Sequence, residues 1–202
     1  MGLLRGLSGD VLDYGCGYGD LTYAISRTHH VCGIDIDPKR VRFARGEYPE
    51  LELCECTADK VPFPDGSFDV VTSIVVIDFV KDAAAHLRMV NRVLRPGGHL
   101  IICCQNVPLI RNWLRRRLGR GPVPTDLWIR PRAEVVRLLA TEGFEVVGES
   151  YFFDPPLNTP HKNLADVALS AIDLFCSVCR TKSVATYFLF LARRSGTPPD
   201  RV

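Results

Sequence analysis

The sequence has little net charge and no long apolar run. Its 25 Lys and Arg residues nearly balance its 23 Asp and Glu residues, so the formal net charge is only +2. A protein that binds nucleic acid through its phosphates usually carries a large basic excess. No run reaches the roughly 18 apolar residues of a membrane-spanning helix, and the first residues do not form an export signal. We therefore expect a cytoplasmic protein with no nucleic-acid partner and no integral membrane segment.

The composition is that of one ordinary globular domain. Hydrophobic residues make up 47% and charged residues 24% of the 202 residues, which excludes a disordered or fibrous chain. A chain of this length can bury a core without covalent staples. There is no internal repeat and no linker. We predict a single domain over residues 1–192, followed by a polar, proline-containing tail over 193–202 that we expect to be disordered.

The eight cysteines indicate packing rather than metal binding. Without an export signal we expect reduced thiols, and several of them lie in apolar runs, where free cysteine packs as a small hydrophobe. A zinc site would require Cys54-x-Cys56 and Cys176-x-x-Cys179 to converge, and the spacing of the first pair is too tight. We predict no metal site.

Apolar runs of strand length alternate with helical patterns along the chain. The predicted strands are 11–14, 30–36, 51–56, 68–76, 99–104, 144–153 and 183–192. The predicted helices are 21–27, 38–46, 82–94, 132–141 and 163–179, with Pro96-Gly97-Gly98 ending the third. This order predicts an α/β fold with a doubly wound, mostly parallel sheet and helices on both faces.

A glycine-rich turn follows the first strand. The strand reaches Asp13, and Gly15, Gly17 and Gly19 come at every second position before a helix begins. Glycines allow a ligand to approach the backbone closely, and the helix start supplies oriented N–H groups. In a doubly wound sheet this turn lies at the carboxyl end of the first strand, where such folds bind ligands.

The residues around the turn favour a cationic ligand over a dinucleotide. The dinucleotide fingerprint requires glycine where this chain has Asp20, whose charge would repel a pyrophosphate. Asp13 instead favours a positively charged group, such as the sulfonium and the amino group of S-adenosylmethionine. Asp35 ends the second strand, where an acid can accept hydrogen bonds from both ribose hydroxyls. Asp37 fits the N-cap of the next helix.

On these residues the chain resembles a class I S-adenosylmethionine-dependent methyltransferase of the methyltransferase type 11-like family. Four segments match the family's motifs in order: Asp13-Tyr-Gly-Cys-Gly-Tyr-Gly, Gly33-Ile-Asp35, Val61-Pro-Phe-Pro-Asp-Gly-Ser-Phe-Asp-Val-Val and Arg92-Val-Leu-Arg-Pro-Gly-Gly. The match covers roughly residues 9–105, with looser similarity to residue 192. The resemblance implies a Rossmann-like sheet of seven strands with an antiparallel last strand. It also implies S-adenosylmethionine as cofactor and a small-molecule or lipid-like methyl acceptor.

The resemblance further implies which residues hold the cofactor. The glycine turn lies along the methionine end, which Asp13 holds through the amino group or a water. Asp35 binds the ribose hydroxyls, Ile36 packs on adenine, and the loop after the third strand meets the adenine edge. The implied cofactor-binding set is Asp13, Gly15, Cys16, Gly17, Gly19, Asp35, Ile36, Thr57, Ala58, Asp59 and Ile74.

The chain departs from the family's pattern at three places. Many relatives carry Asp where Thr57 stands, and Thr57 accepts hydrogen bonds without charge, while Asp59 could substitute. Phe79 follows Asp78 where relatives often carry a histidine. About ten residues precede the first strand, where relatives usually have helices that cover the cofactor. We expect either that another segment closes the site or that it stays relatively open.

Methyl transfer from a sulfonium is an in-line displacement, for which the protein mainly supplies position and desolvation. A general base is needed only if the acceptor loses a proton in the chemical step. The candidates are Asp78, Asp126, Asp154 and His161, but each is also explained as a capping, loop or surface residue. We assign no catalytic residue.

We expect two segments, at about residues 105–130 and 154–182, to cover the substrate. In the first, Ile110, Trp113, Leu114 and Leu118 share one helical face, opposed by Arg111, Arg115, Arg116 and Arg120. This pattern is typical of an amphipathic helix with solvated arginines. The alternative is contact with an anionic substrate or a membrane surface. Two other functions stay open: a non-catalytic S-adenosylmethionine-binding partner subunit and, less favoured, a nicotinamide-dependent oxidoreductase.

Overall fold

The computed structural model describes residues 4–57, 60–106, 127–152 and 187–196. Seven strands within these ranges form one sheet of order β3-β2-β1-β4-β5-β7-β6. The strands are β1 Val11–Tyr14, β2 Val31–Asp35, β3 Glu52–Glu55, β4 Phe68–Ile74, β5 Leu94–Gln105, β6 Phe144–Phe152 and β7 Tyr187–Arg194. The helices are α1 Asp20–Ser26, α2 Pro38–Glu47, α3 Ala83–Val93 and α4 Arg132–Thr141, with a 3₁₀ helix over Ile77–Phe79.

The strand pairing confirms the predicted doubly wound sheet. Strands β1 to β5 pair in parallel, and β7 is antiparallel to both β5 and β6. Every residue of β1 and β2 is buried, as expected for parallel strands that are covered on both faces. The chain runs from β1 outward to β2 and β3 and then returns to β4 on the other side of β1. Such a reversal opens a crevice at the carboxyl ends of β1 and β4.

Helices cover both faces of the sheet, as predicted. Successive strand residues point to opposite faces, and Val11 and Leu12 accordingly belong to different core clusters. Leu12 packs with α3 and α4 through residues such as Leu87 and Leu139. Val11 packs with α1 through Ile25. No helix of the described ranges has the length and apolarity that crossing a bilayer requires.

Two element boundaries differ from the prediction for local backbone reasons. We expected Pro96-Gly97-Gly98 to end a helix, but α3 already ends at Val93 and β5 begins at Leu94. The Pro-Gly-Gly segment lies inside β5, beside an irregularity in the β4–β5 register. Gly98 packs so closely there that a Cβ atom would lie 2.9 Å from the Asp69 carbonyl oxygen. A glycine in a strand often marks such a bulge.

The other differences concern the strand ends. We expected β4 to reach residue 76, but it ends at Ile74 because Val75 takes a positive φ of 63°. Strand β7 continues through residues 193 and 194, which we had placed in the tail, and Arg193 pairs in register with His99 and Glu145. The predicted helices over 110–120 and 163–179 lie outside the described residues. Cys16, Cys32, Cys54, Cys56, Cys103 and Cys104 are free thiols.

Candidate functional site

A cavity of about 260 Å³ opens at the carboxyl ends of β1, β2 and β4, at the position where the order of the strands reverses. Its lining is mostly apolar. The described lining residues are Tyr14, Gly15, Ile34, Asp35, Ile36, Arg40, Cys56, Ile74, Val75, Val76, Phe79 and Val80. The cavity therefore lies where a doubly wound sheet is expected to bind a ligand.

The glycine turn forms one wall of this cavity through Gly15. Gly15, Gly17 and Gly19 have φ values of 83°, 56° and 89°, which side-chain-bearing residues rarely adopt. A Cβ atom on Gly15 would lie 2.3 Å from the Val76 Cγ2 atom, so no larger residue fits. The N–H groups of Gly15 and Cys16 donate to the Ile34 carbonyl at 2.7 and 2.9 Å, and the Gly19 N–H donates to the Cys16 carbonyl at 2.9 Å.

Asp35 joins the glycine turn to the start of α2. Its Oδ2 atom accepts a hydrogen bond from the Gly17 N–H at 2.9 Å, and its Oδ1 atom accepts one from the Asp37 N–H at 2.9 Å. An ionised carboxylate has about four lone-pair sites. Both oxygens therefore keep capacity for the two hydroxyls of a ribose. Asp37 caps α2 as predicted, with its side chain accepting from the Lys39 N–H at 2.9 Å.

Asp13 lies beneath the turn, and it is not one of the described residues that line the cavity. It is 2% exposed. Its Oδ2 accepts from the Thr22 hydroxyl at 2.6 Å and its Oδ1 from the Thr72 hydroxyl at 2.7 Å. Burial raises the pKa of the Asp13 carboxyl, although both hydrogen bonds act in the opposite direction. Asp13 thus ties β1 to α1 and to β4. Its direct contact with a ligand stays a prediction.

The structure brings some of the other predicted residues to the cavity. Ile36 and Ile74 line it, Ile36 with 65% of its surface exposed. Cys16 is buried among Val41 and Leu53 and is not one of the described lining residues. Thr57 is exposed just beyond Cys56, which lines the cavity and whose pKa burial raises to about 11. Ala58 and Asp59 lie outside the described residues.

Several lining residues were not identified from the sequence. Arg40 lies on the first turn of α2, five positions after Asp35, and its Nε atom is 3.4 Å from the Asp37 Oδ2. Val76, Phe79 and Val80 come from the loop after β4, from which the prediction placed only Ile74. The general rule that ligands bind beyond the carboxyl ends of strands could have selected this whole loop.

The chain segment before α4 supports that loop. The Arg130 guanidinium donates to the carbonyl oxygens of Ile77 and Val80 at 2.8 Å, and to those of Lys81 and Trp128 at 2.9 Å. Its side chain is only 10% exposed. The Trp128 N–H donates to the Asp78 carbonyl at 2.6 Å. Residues 128–130 therefore fix the wall that carries Phe79 and Val80.

Two buried titratable side chains lie behind the cavity wall. Asp78 is 1% exposed, its Oδ2 accepts from the Gln105 N–H at 2.8 Å, and its Oδ1 has no partner among the described residues. Burial raises the Asp78 pKa to about 6. His86 is 2% exposed, with its Nε2 atom 3.0 Å from the Ser73 hydroxyl, and burial lowers its pKa to about 4. The other candidate bases, Asp126, Asp154 and His161, lie outside the described residues.

Replacing Asp78 with asparagine should change how stability depends on pH. Because the pKa of Asp78 is raised, its contribution to stability is present below the ordinary value and is lost as pH rises towards about 6. The lowered pKa of His86 has the opposite slope between about pH 4 and 6.5. We expect Asp78→Asn to gain about 1–2 kcal/mol over the wild type at pH 7.5 and nothing at pH 4, measured by urea unfolding.

Asp78→Ala is the variant with which Asp78→Asn is compared. It also removes the charge but leaves the Gln105 N–H without its acceptor, so we expect it to be less stable than Asp78→Asn by about 1 kcal/mol at every pH. An Asp78→Asn protein whose advantage over the wild type is larger at pH 4 than at pH 7.5 would contradict the assignment.

Val75 holds a strained backbone conformation at the cavity. It is the one non-glycine residue of the described ranges with positive φ, 63°, which costs roughly 1–2 kcal/mol for an L-residue. Its N–H donates to the Cys103 carbonyl at 2.9 Å. We expect Val75→Gly to be more stable than Val75→Ala by about 1 kcal/mol in thermal unfolding, because only glycine relieves the strain. At a position with negative φ, the glycine variant is the less stable of the two. An alanine variant more stable than the glycine variant at position 75 would therefore contradict the strain.

Comparisons with known proteins agree with this geometry. The family model described as "Methyltransferase domain" matches residues 12–102. A probable S-adenosylmethionine-dependent methyltransferase of Mycolicibacterium smegmatis is 34% identical over 142 residues, which cover 68% of this chain and 52% of that protein. The ubiquinone/menaquinone biosynthesis C-methyltransferase UbiE of Enterobacter sp. (strain 638) is 28% identical, covering 86% of this chain and 70% of that protein.

A solved structure supports the same fold. The geranyl diphosphate C-methyltransferase of Streptomyces coelicolor A3(2), in complex with Mg²⁺, geranyl diphosphate and S-adenosyl-L-homocysteine, has a TM-score of 0.71 at 16% identity, covering 95% of this chain and 76% of that chain. The sheet of this chain therefore has the Rossmann-like architecture of that protein. In sequence and in fold the chain is thus similar to class I S-adenosylmethionine-dependent methyltransferases. It spans about half the length of the Mycolicibacterium relative.

Proposed function

We propose that this chain binds S-adenosylmethionine in the cavity between the glycine turn and the β4–α3 loop and transfers its methyl group to a small, lipid-like acceptor. The observation that carries the proposal is the joined pair of the glycine turn and Asp35. The Gly17–Asp35 hydrogen bond of 2.9 Å holds a carboxylate with spare acceptor capacity beside a backbone that no Cβ atom obstructs. This arrangement fits a ribose next to a compact cationic group.

The chain's own residues supply binding, orientation and exclusion of water. Asp35 accepts from the ribose hydroxyls, Ile36 covers the adenine, and Gly15 lets the methionine end lie against the backbone. Asp13 keeps the turn in place from below through Thr22 and Thr72. The bound cofactor supplies an already activated methyl group, so position and desolvation account for most of the catalysis.

The residues that line the cavity favour an acceptor that does not need a strong general base to remove its proton. Among the described lining residues the ionisable side chains are Tyr14, Asp35, Arg40 and Cys56. Asp35 is engaged by two N–H groups, and the pKa of the Cys56 thiol is raised to about 11. The Cys56 thiol therefore does not suit a general base near neutral pH, and Asp35 is assigned to the ribose hydroxyls. An acidic phenol or enol, or a carbon nucleophile conjugated to one, would fit such a site.

The apolar mouth supports the lipid-like class of acceptor. Ile36, Phe79 and Val80 line the cavity beside Ile74 and Val76, and apolar walls suit a hydrophobic substrate. Two of the similar proteins are named for reactions on quinones and on geranyl diphosphate. We therefore propose a quinone-like or isoprenoid acceptor for this chain.

Calorimetry with S-adenosylmethionine, S-adenosylhomocysteine and NAD tests the cofactor. We expect binding of the first two and none of NAD, since Asp20 and the turn do not suit a pyrophosphate; tight NAD binding alone would reverse the assignment. Release of S-adenosylhomocysteine in the presence of hydroxylated naphthoquinones and prenyl phenols then tests the reaction. Tight cofactor binding with no turnover on these or on a metabolite extract would instead favour the non-catalytic partner subunit.

A further inference from the structure

Exposed apolar side chains surround the mouth of the cavity. Five of the six exposed large hydrophobic residues in the described ranges lie at this edge. They are Tyr18 (53% exposed), Ile36 (65%), Phe43 (54%), Phe79 (62%) and Trp128 (43%), and we call them the mouth patch. The Tyr18 and Phe43 rings meet edge to face at 5.4 Å between centroids. Ile36 and Phe79 line the cavity, and the Trp128 N–H is bonded to the carbonyl of Asp78, next to Phe79.

Cations are interleaved with this patch. The Arg40 guanidinium lies 5.9 Å from the centre of the Tyr18 ring, and the Lys81 ammonium lies 5.7 Å from that of Trp128. Lys39 and Arg42 are exposed on α2 on either side of Arg40. Neither of them makes an ion pair with a residue that the structure describes. The patch therefore presents aromatic side chains and positive charge together.

Helix α2 is built to present this charge. It buries only Val41 and Ala44 against the sheet. Its sequence Pro-Lys-Arg-Val-Arg-Phe-Ala-Arg-Gly-Glu holds four cations against a single acid. Of the nearby carboxylates, Asp37 is paired with Arg40 at 3.4 Å, and Asp20 accepts from the Tyr48 hydroxyl at 2.8 Å.

At the opposite edge of the sheet, acids are paired with basic side chains. Asp10 precedes β1 and Glu52 begins β3, and both lie beside His30, at 3.2 and 3.7 Å. Asp69 lies near the start of β4 and pairs with Arg95. Lys39 and Arg42, which are exposed and make no ion pair with a described residue, would turn the cavity mouth towards a negatively charged plane.

We propose that the mouth patch docks on the surface of an anionic lipid bilayer. Lysine and arginine bind anionic headgroups, and partly exposed aromatic and aliphatic side chains enter the boundary between headgroups and acyl chains. A nucleic acid would satisfy the cations but would leave Ile36 and Phe43 in contact with water. Docking in this orientation sets the cavity mouth against the bilayer, so that a lipid-like acceptor enters without crossing water. The entry of the acceptor rests on the proposed function, whereas the docking itself does not.

Vesicle co-sedimentation of the full chain tests the docking directly, without any cofactor. We expect binding to vesicles of phosphatidylcholine mixed with phosphatidylglycerol, weak binding to phosphatidylcholine alone, and loss of binding at high salt because exposed charges are screened. Equal binding to both kinds of vesicle, or no binding to either at low salt, would overturn the proposal.

A matched pair of double variants localises the surface. Lys39→Gln with Arg42→Gln removes two cations from the patch without touching a residue that lines the cavity, and we expect about 25-fold weaker vesicle binding, roughly fivefold for each cation. Arg27→Gln with Arg137→Gln removes the same charge from exposed positions on α1's C-cap and on α4, and should stay within about twofold of the wild type. Equal losses in both variants would mean diffuse attraction and would overturn the assignment.

Phe43→Ser tests the apolar part of the contact. We expect roughly tenfold weaker vesicle binding from the lost ring. The free energy of unfolding should fall by no more than about 1 kcal/mol, because the ring is 54% exposed and its contact with Tyr18 is a single edge-to-face pair. A loss of several kcal/mol, well beyond the Tyr18 contact, would mean that another part of this chain covers the ring. Self-association that depends on Phe43, without vesicle binding, would mean that a second copy does so. Either result overturns the proposal.

Kinetics separate this proposal from the proposed function. With an acceptor embedded in vesicles, the Lys39→Gln/Arg42→Gln protein should show a raised KM at unchanged kcat, while a short-chain, water-soluble analogue should be methylated as by the wild type. Vesicle binding without S-adenosylmethionine binding would sink the proposed function and leave the docking surface intact. Equal effects of the variant on both acceptors would overturn the docking role.

Discussion

Alanine at Asp35 should weaken the binding of S-adenosylhomocysteine by about 100-fold or more. The Asp35 carboxylate is expected to accept both ribose hydroxyls, and each hydrogen bond to a charged group is worth about 1.5–3 kcal/mol. Together they correspond to at least two factors of ten in Kd, at about 1.4 kcal/mol each. The substitution also frees the Gly17 N–H from its 2.9 Å contact, so that the glycine turn loses part of its support. Titration calorimetry measures the change.

Asp37 offers the matched control. It is a second carboxylate two residues away, and it caps α2 through the Lys39 N–H at 2.9 Å. We expect Asp37→Ala to lower the free energy of unfolding by about 1 kcal/mol and to change cofactor binding by only a few-fold. Similar losses of binding in the two variants would show that the start of α2, rather than the Asp35 carboxylate, determines affinity.

Alanine at Arg130 should lower the free energy of unfolding by about 3–4 kcal/mol. The guanidinium donates to four backbone carbonyls of Ile77, Val80, Lys81 and Trp128. The bonds to Ile77 and Val80 are partly buried, and an acceptor left there without a donor costs about 1–3 kcal/mol where water cannot replace it. The first two of these acceptors belong to the loop that lines the cavity, so cofactor binding should weaken as well. Urea unfolding at neutral pH measures the stability.

Two further variants make this expectation specific. Arg130→Lys keeps the charge but has three donors in place of the planar fork, and we expect about half of the loss. Arg137→Ala removes an exposed arginine of α4, and should change stability by less than about 0.5 kcal/mol. An Arg130→Ala protein within about 1 kcal/mol of the wild type would show that water satisfies the four carbonyls.

The order of the elements was readable from the sequence because the central strands are buried on both faces. Val11–Tyr14 and Val31–Asp35 are mostly apolar runs with an acid at or next to their last residue. Gly15 follows the first run directly, and Pro38 comes three positions after the second. The same logic located the glycine turn and Asp35 at one edge of the sheet. Their direct hydrogen bond follows from this topology.

The rest of the site depends on backbone detail that residue types do not encode. Nothing about valine predicts a positive φ at Val75, since β-branched residues avoid that region. The bonds of Arg130 join positions about 50 residues apart, which no local pattern reveals. The Pro-Gly-Gly segment reads equally well as a helix end or as a bulge, and the pairing of β5 with β4 decides between them.

The amide hydrogens of the glycine turn point at acceptors within the protein itself. The N–H groups of Gly15, Cys16 and Gly19 are bonded to backbone carbonyls, and that of Gly17 to Asp35. Anion-binding nests work through successive amides that are left pointing at the ligand, and here those four are already occupied. The loop that most resembles a phosphate clamp is therefore a poor one. With these four amides engaged inside the protein, the turn has fewer donors to offer a nucleotide phosphate than its glycine spacing suggests.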